Sequence, residues 1–257
     1  MTSAEILVAS PESSELFNGL LKVFQETKPG RPLMIGVCGG SASGKTQFSV
    51  GLAHLFRPSV LLVKQDNFYK PLSKEQKEMA HQSKYNFDEP DAFDMELCLK
   101  TLQMLSFGQD TVVPQYSYIT HDRDSVSLPV KCTSVILFEG ILAFHDDRIA
   151  DLFDVRVFID ADESTRLSRR VLRDVKERGW TESEVLEQHT FFVQPAFEKY
   201  IAPCQQKAHF NIPGTVSMNL AVMDFLNGVK ELLASNIPLC MLGERLGQLE
   251  NANKSIC

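Results

Sequence analysis

The chain has 257 residues, 44% of them hydrophobic and 23% charged, with 26 basic against 33 acidic side chains. That composition excludes wholesale disorder and leaves ample chain to bury a core in one large domain or two small ones. A formal net charge of −7 argues against general binding to nucleic acid or to an anionic membrane. No apolar run is long enough to span a bilayer, and residues 1–20 lack the basic-then-apolar layout of a secretory signal. Cys38, Cys98, Cys132, Cys204, Cys240 and Cys257 are scattered without a C-x-x-C pair, so a reduced, cytoplasmic chain is expected rather than a structural zinc site or a disulfide framework.

Residues 1–32 read as an N-terminal leader. Ser10 can cap a helix that Pro11 begins, with Leu16, Phe17, Leu20, Leu21 and Phe24 on one apolar face and Pro29-Gly30 as its stop. Residues 33–236 then alternate short apolar runs with helical patterns. Leu33–Cys38, Val60–Val63, Ser134–Phe138 and Asp154–Ile159 read as strands, and Lys45–Phe56 and Glu96–Leu105 as helices. The fold class is α/β, since such alternation favours a parallel sheet flanked by helices. Residues 112–130 interrupt it with two β-rich stretches around Thr120–Asp124, an inserted hairpin. Asp162 can cap a helix that runs to Arg178 and ends at Gly179, making 162–180 a lid. Thr181-Glu182-Ser183-Glu184 fits a capping box. Residues 237–257 form a tail, where Leu239, Leu242, Leu246 and Leu249 can give a short amphipathic helix.

Gly39-Gly40-Ser41-Ala42-Ser43-Gly44-Lys45-Thr46 matches G-x-x-x-x-G-K-[ST], with an apolar strand before it and a helix after it. The glycines let backbone N–H groups approach phosphate oxygens, and the helix points its positive end at the same place. Lys45 would reach the β- and γ-phosphates and Thr46 would ligate Mg²⁺. Glu139, at the end of the strand Ser134–Phe138, stands where such folds hold the metal or its water. Asp66 follows the run Val60–Val63. If that strand borders Leu33–Cys38, Asp66 lies near the γ-phosphate and can accept a hydroxyl proton; on its own it reads equally as a turn cap. Arg166, Arg169, Arg170 and Arg173 recur at helical spacing, and residues 166–178 hold six basic side chains against two acids. In an acidic chain this reads as a lid over triphosphate.

These residues resemble the uridine–cytidine kinase family of phosphate-loop kinases. The likeness runs from about Leu33 to Leu233 through Gly39–Thr46, Gln65–Tyr69, Tyr85–Asp94, Pro114–Arg123, Leu137–Leu142, Arg166–Gly179 and Phe192–Glu198. It implies a five-stranded parallel core with a β-hairpin and a helical lid, ATP (or GTP) as donor with Mg²⁺, and transfer of a phosphoryl group to the 5′-hydroxyl of uridine or cytidine. By the same resemblance Asp66 is the base. Lys45, Arg173 and Arg178 hold ATP, Thr46 and Glu139 serve Mg²⁺, and Asp88, Arg170 and Gln188 hold the ribose hydroxyls. Tyr116 and His121 meet the pyrimidine edge, while Phe87 and Tyr118 line its ring. The family also implies a homo-oligomer, a tetramer. Departures fall at Glu89, Ser117-Tyr118, Gln194, His209, Gly214 and Trp180, the last where the family has an arginine near the base.

Two rival readings remain on the sequence. One is a related kinase with another acceptor, against which the acids Glu89, Asp91 and Asp94 near Asp88 favour a neutral one. The other is a nucleotide-binding regulator, against which Lys45, Asp66 and Glu139 are all retained.

Overall fold

The computed structural model describes residues 11–118, 120–124 and 126–234. The elements run α1 (Pro11–Thr27), β1 (Leu33–Cys38), α2 (Lys45–Leu55), β2 (Val60–Lys64), α3 (Lys74–His81), α4 (Met95–Ser106), β3 (Thr111–Val113), β4 (Tyr116–Ser117), β5 (Asp122–Arg123) and β6 (Leu128–Val130). Then come β7 (Val135–Gly140), α5 (Asp147–Ala150), β8 (Val155–Asp160), α6 (Glu163–Arg178), α7 (Glu182–Gln188), α8 (Gln194–Ala196), β9 (Phe210–Pro213) and α9 (Met218–Ala234).

Five strands form one sheet in the order β2-β7-β1-β8-β9, all pairs parallel. Every residue of β1 and β7 is buried, the mark of strands covered on both faces. The side chains still alternate. Leu33, Ile35 and Val37 enter one core with Phe48 and Phe225, whereas Met34 and Cys38 enter the other with Phe138 and Phe158.

One expectation fails here. β2 does not border β1, because β7 lies between them with Val135–Gly140 paired to Leu33–Cys38 on one side and Val135–Glu139 to Val60–Lys64 on the other. Asp66 therefore approaches the phosphate loop across the end of β7.

The helix of residues 11–27 is built into the core. Phe17, Leu20 and Phe24 are buried, Phe17 stacks on Phe56 with ring centroids 3.7 Å apart, and Lys28 Nζ donates to Asp154 Oδ1 at 2.6 Å. Burying each of those apolar side chains contributes about 1.5–3 kcal/mol. The tail helix expected over 238–257 lies outside the described residues. The 112–130 hairpin consists of two short antiparallel ladders, β3 with β6 and β4 with β5. Arg123 braces it to the domain, donating Nε to Tyr69 O (2.6 Å) and Nη2 to Phe68 O (2.9 Å).

The lid helix starts and stops where its caps dictate. Asp162 Oδ1 accepts from Thr165 N (2.7 Å), and Gly179 ends α6 at φ 74°. The capping box at Thr181 and Glu184 forms as well.

Candidate active site

β1 delivers the loop Gly39–Thr46 to the carboxyl edge of the sheet, and α2 starts at Lys45. Gly44 caps α2 at φ 108°, a left-handed conformation that an L side chain would strain. Such a turn ahead of a helix gathers backbone N–H groups into an anion-binding concavity. Lys45 is buried and reaches back to Gly40 O at 3.5 Å.

β7 ends beside this loop. Val37 pairs with Glu139 and Cys38 with Gly140. The Glu139 carboxylate, 2% exposed, accepts from Thr46 Oγ1 at 3.1 Å. Burial holds its pKa above the usual carboxylate value, opposed by Lys45 and by the Thr46 hydroxyl. A threonine hydroxyl beside a carboxylate is a hard-oxygen donor set, which fits Mg²⁺.

Asp66 sits in a 3₁₀ turn, Gln65–Phe68, at the end of β2. Gln65 fixes that turn, its Oε1 accepting from Leu142 N at 2.8 Å. A Cβ on Gly140 would come within 2.2 Å of Gln65 Oε1, so glycine there lets the turn seat against β7. Tyr118 Oη donates to Asp66 Oδ2. The phenol stays a donor because its partial burial and the Asp66 charge push its pKa up.

One cleft, with a cavity volume of about 70 Å³, is lined by Lys45, Asp66, Phe87, Asp88, Tyr116, Tyr118, His121, Arg170, Arg173, Arg178, Trp180 and Gln188, together with Ser41. Side chains spread over more than 140 residues of sequence thus converge. Thr46, Glu139 and the loop residues Gly39, Gly40, Ala42, Ser43 and Gly44 are not among its lining side chains; they adjoin it through Lys45 and Ser41 of the loop. One wall is aromatic: Phe87 stacks on His121 (5.2 Å between centroids), and Tyr69 packs against Phe87 and Tyr116. Asp88 is buried and oriented by its N–H, which donates to Asn86 Oδ1 at 3.0 Å. Burial, aided by His81, Arg178 and Lys77, lowers the pKa of His121, which keeps its imidazole neutral at physiological pH. The Tyr116 hydroxyl and Gln188 Nε2 are buried without a hydrogen-bond partner among the described residues.

The lid arginines divide. Arg170 donates Nη1 to Ser41 Oγ (3.0 Å) and Nη2 to Gln188 Oε1 (2.6 Å), and Arg178 lies 4.5 Å over the Tyr118 ring. Arg166 and Arg169 do not reach the cleft, contrary to the reading of one catalytic face. Arg166 packs 3.5 Å over Phe197 and donates to Ala161 O, and Arg169 donates to Ser43 O and Gly214 O.

Sequence reasoning missed Tyr69 and Ile141 in the lining, Arg123 as the brace of the hairpin, and Asp174. That acid is 1% exposed and pairs with Arg170, Arg173 and Arg178. Its spacing of four residues from both Arg170 and Arg178 was the available signal.

A phosphate loop between a central strand and its helix, a buried acid on the adjoining strand and an arginine-bearing lid over one cleft define a phosphate-loop kinase. The chain belongs to the phosphoribulokinase / uridine kinase family, whose model matches residues 34–221. It is 42% identical over 213 residues to uridine-cytidine kinase 2-B of Danio rerio, covering 77% of this chain and 82% of that protein. Over 218 residues it is 40% identical to the uridine/cytidine kinase UKL1, chloroplastic, of Arabidopsis thaliana. That match covers 84% of this chain and 45% of the plant protein, so this chain spans less than half the length of that relative. Phosphoribulokinase from Rhodobacter spheroides shares the fold, with a TM-score of 0.56 at 13% identity over 72% of this chain and 70% of its own.

Proposed function

We propose that this chain transfers the γ-phosphoryl group of ATP to the 5′-hydroxyl of uridine or cytidine, giving UMP or CMP and ADP. The observation that carries the reading is the cleft itself. It brings the Asp66 carboxylate, Lys45 of the phosphate loop and the rings of Phe87, His121 and Tyr116 into one cleft. Family membership and the uridine/cytidine kinases among the relatives support the same acceptor.

In this reading Lys45, Arg173 and Arg178 hold the β- and γ-phosphates. Thr46 and Glu139 hold Mg²⁺ or its waters, which when bound neutralises phosphate charge. Asp88 and Arg170 bracket the vicinal ribose hydroxyls with charge-assisted bonds, aided by Gln188. The Tyr116 hydroxyl and the neutral His121 ring meet the pyrimidine edge, where a donor and an acceptor together suit uracil or cytosine. Phe87 and Tyr118 flank the ring, and Trp180 stands where the base end of the cleft opens. Asp66 takes the 5′-hydroxyl proton as the new O–P bond forms and the bond from Pγ to the ADP oxygen breaks. Positioning and charge neutralisation supply most of the acceleration.

The test is ADP release with ATP and Mg²⁺ against uridine, cytidine, adenosine, a sugar phosphate and no acceptor. Release confined to uridine and cytidine is expected. Release with another acceptor alone contradicts the substrate, and release with none contradicts the activity.

The chain is also proposed to act in the cytoplasm as a homotetramer. Exposed Leu172 and Phe191 on the lid side, 72% and 69% accessible, are the kind of apolar surface a second copy covers. A monomeric mass by sedimentation at micromolar concentration contradicts the oligomer.

A further inference from the structure

Asp174 lies in the middle of the lid helix α6 with its carboxylate buried. Its Oδ1 is 2.8 Å from Arg173 Nε and 3.3 Å from Arg178 Nη1, and its Oδ2 is 3.4 Å from Arg170 Nε. Burial alone would raise its pKa; the three guanidinium groups overcome that and hold it below the usual range.

All three arginines line the cleft, and two of them also reach different parts of it. Arg170 touches Ser41 of the phosphate loop and Gln188 of α7 at once. Arg178 covers the Tyr118 ring on the hairpin. Three like charges this close repel, and one shared carboxylate is what keeps them together when no anion is bound. Arg173 Nε donates a hydrogen bond to that carboxylate, while Arg170 and Arg178 are held to it by ion pairing, so moving one guanidinium changes the field the other two meet.

We propose that Asp174 is a positioning residue that couples the nucleoside end of the cleft to the ATP end, so that each substrate orders the arginines the other needs. The proposal rests on the functional reading above, in which Arg170 meets ribose and Arg173 and Arg178 meet phosphate.

The test measures binding of the β,γ-imido analogue of ATP with Mg²⁺, with and without saturating uridine. Trp180 serves as reporter: it is the sole tryptophan, and its backbone N–H donates to Asp174 O at 3.2 Å. In the unaltered protein uridine is expected to tighten the analogue about ten-fold, and the analogue to tighten uridine by the same factor. In Asp174→Asn the ratio is expected to fall below about two-fold. In Asp174→Glu, whose longer arm cannot keep all three spacings, about three-fold is expected.

A merely structural role would weaken both ligands and leave their ratio intact. An unchanged ratio in either variant that melts cooperatively overturns the proposal, as does a ratio of one in the unaltered protein. Loss of uridine-dependent ADP release from the unaltered protein strikes the functional reading instead. With that release present, the ratio addresses Asp174 alone.

Discussion

The two ends of the cleft are built from different material. At the phosphate end, the loop Gly39–Thr46 and Glu139 hang from β1 and β7, the two fully buried central strands. At the proposed nucleoside end, Tyr116 lies on β4 and His121 in the turn just before β5, the two strands forming a ladder of two residues each, and His121 holds a left-handed φ of 49°. Tyr118 there is 41% exposed, whereas Glu139 is 2% exposed. On the proposed function, the reaction type is anchored in the core and the choice of acceptor on a small peripheral ladder. The departures from the family pattern at Glu89, Ser117, Tyr118 and Trp180 fall on the acceptor side. Damage at the phosphate end should lower turnover with every acceptor. Damage at the other end should change the KM of the nucleoside and leave that of ATP alone.

Asp66→Asn gives the sharpest break. It should fold and bind ATP yet lose turnover by about 10³-fold, the scale of a missing general base; near-normal kcat removes Asp66 from that role. Glu139→Gln comes next. It should lower kcat by about 10²-fold and raise the Mg²⁺ needed for half-maximal rate, and an unaltered Mg²⁺ titration would separate Glu139 from the metal. His121→Ala should raise the nucleoside KM by about ten-fold, with the KM for ATP within two-fold, as for a lost polar contact in a dry pocket; equal effects on both substrates would take His121 out of the base pocket. Smallest is Trp180→Phe, which keeps an aromatic ring at the open end and should move the nucleoside KM by about two-fold or less.

The pH dependence sharpens the same contrast. His121 has a pKa below its ordinary value, first through burial and then through His81, Arg178 and Lys77. The unfolded chain therefore takes up the proton first. Stability tied to the neutral ring is present above the ordinary histidine value and is lost as pH falls through the lowered one. Nucleoside KM should be flat from neutral pH upward and rise on the acid side, and the His121→Ala variant should lack that rise. A variant that keeps the acid-side rise would assign it to another group.

Legibility in the sequence follows the same division. The phosphate loop, the Asp162 cap, the Gly179 stop and the capping box at Thr181 are local chemistry, and each stands where its residues put it. Strand order is not local. β7, more than seventy residues after β2, inserts beside β1, and nothing in Val60–Val63 announces it. α3 escaped because Lys74–His81 is polar with little apolar periodicity, and β9 because four edge residues ending in Pro213 carry too little pattern. The run from His189 to Ile201 winds in π-helical turns on either side of Gln194–Ala196, a form that ordinary helical periodicity does not anticipate. The individual site residues came from motif order. The contacts that organise them, the Tyr118–Asp66 hydrogen bond and the ion pairs of Asp174 with three arginines, join side chains whose meeting only the folded chain supplies.

The most direct test of the account is proton-coupled ³¹P spectroscopy of the product formed from uridine, ATP and Mg²⁺. Phosphate placed on the 5′-oxygen beside Asp66 couples to two protons on one carbon and appears as a triplet. That signal should grow with ADP and be absent with Asp66→Asn. A doublet, from an ester at the 2′- or 3′-oxygen, or no new ester at all, would contradict the placement of the nucleoside in this cleft.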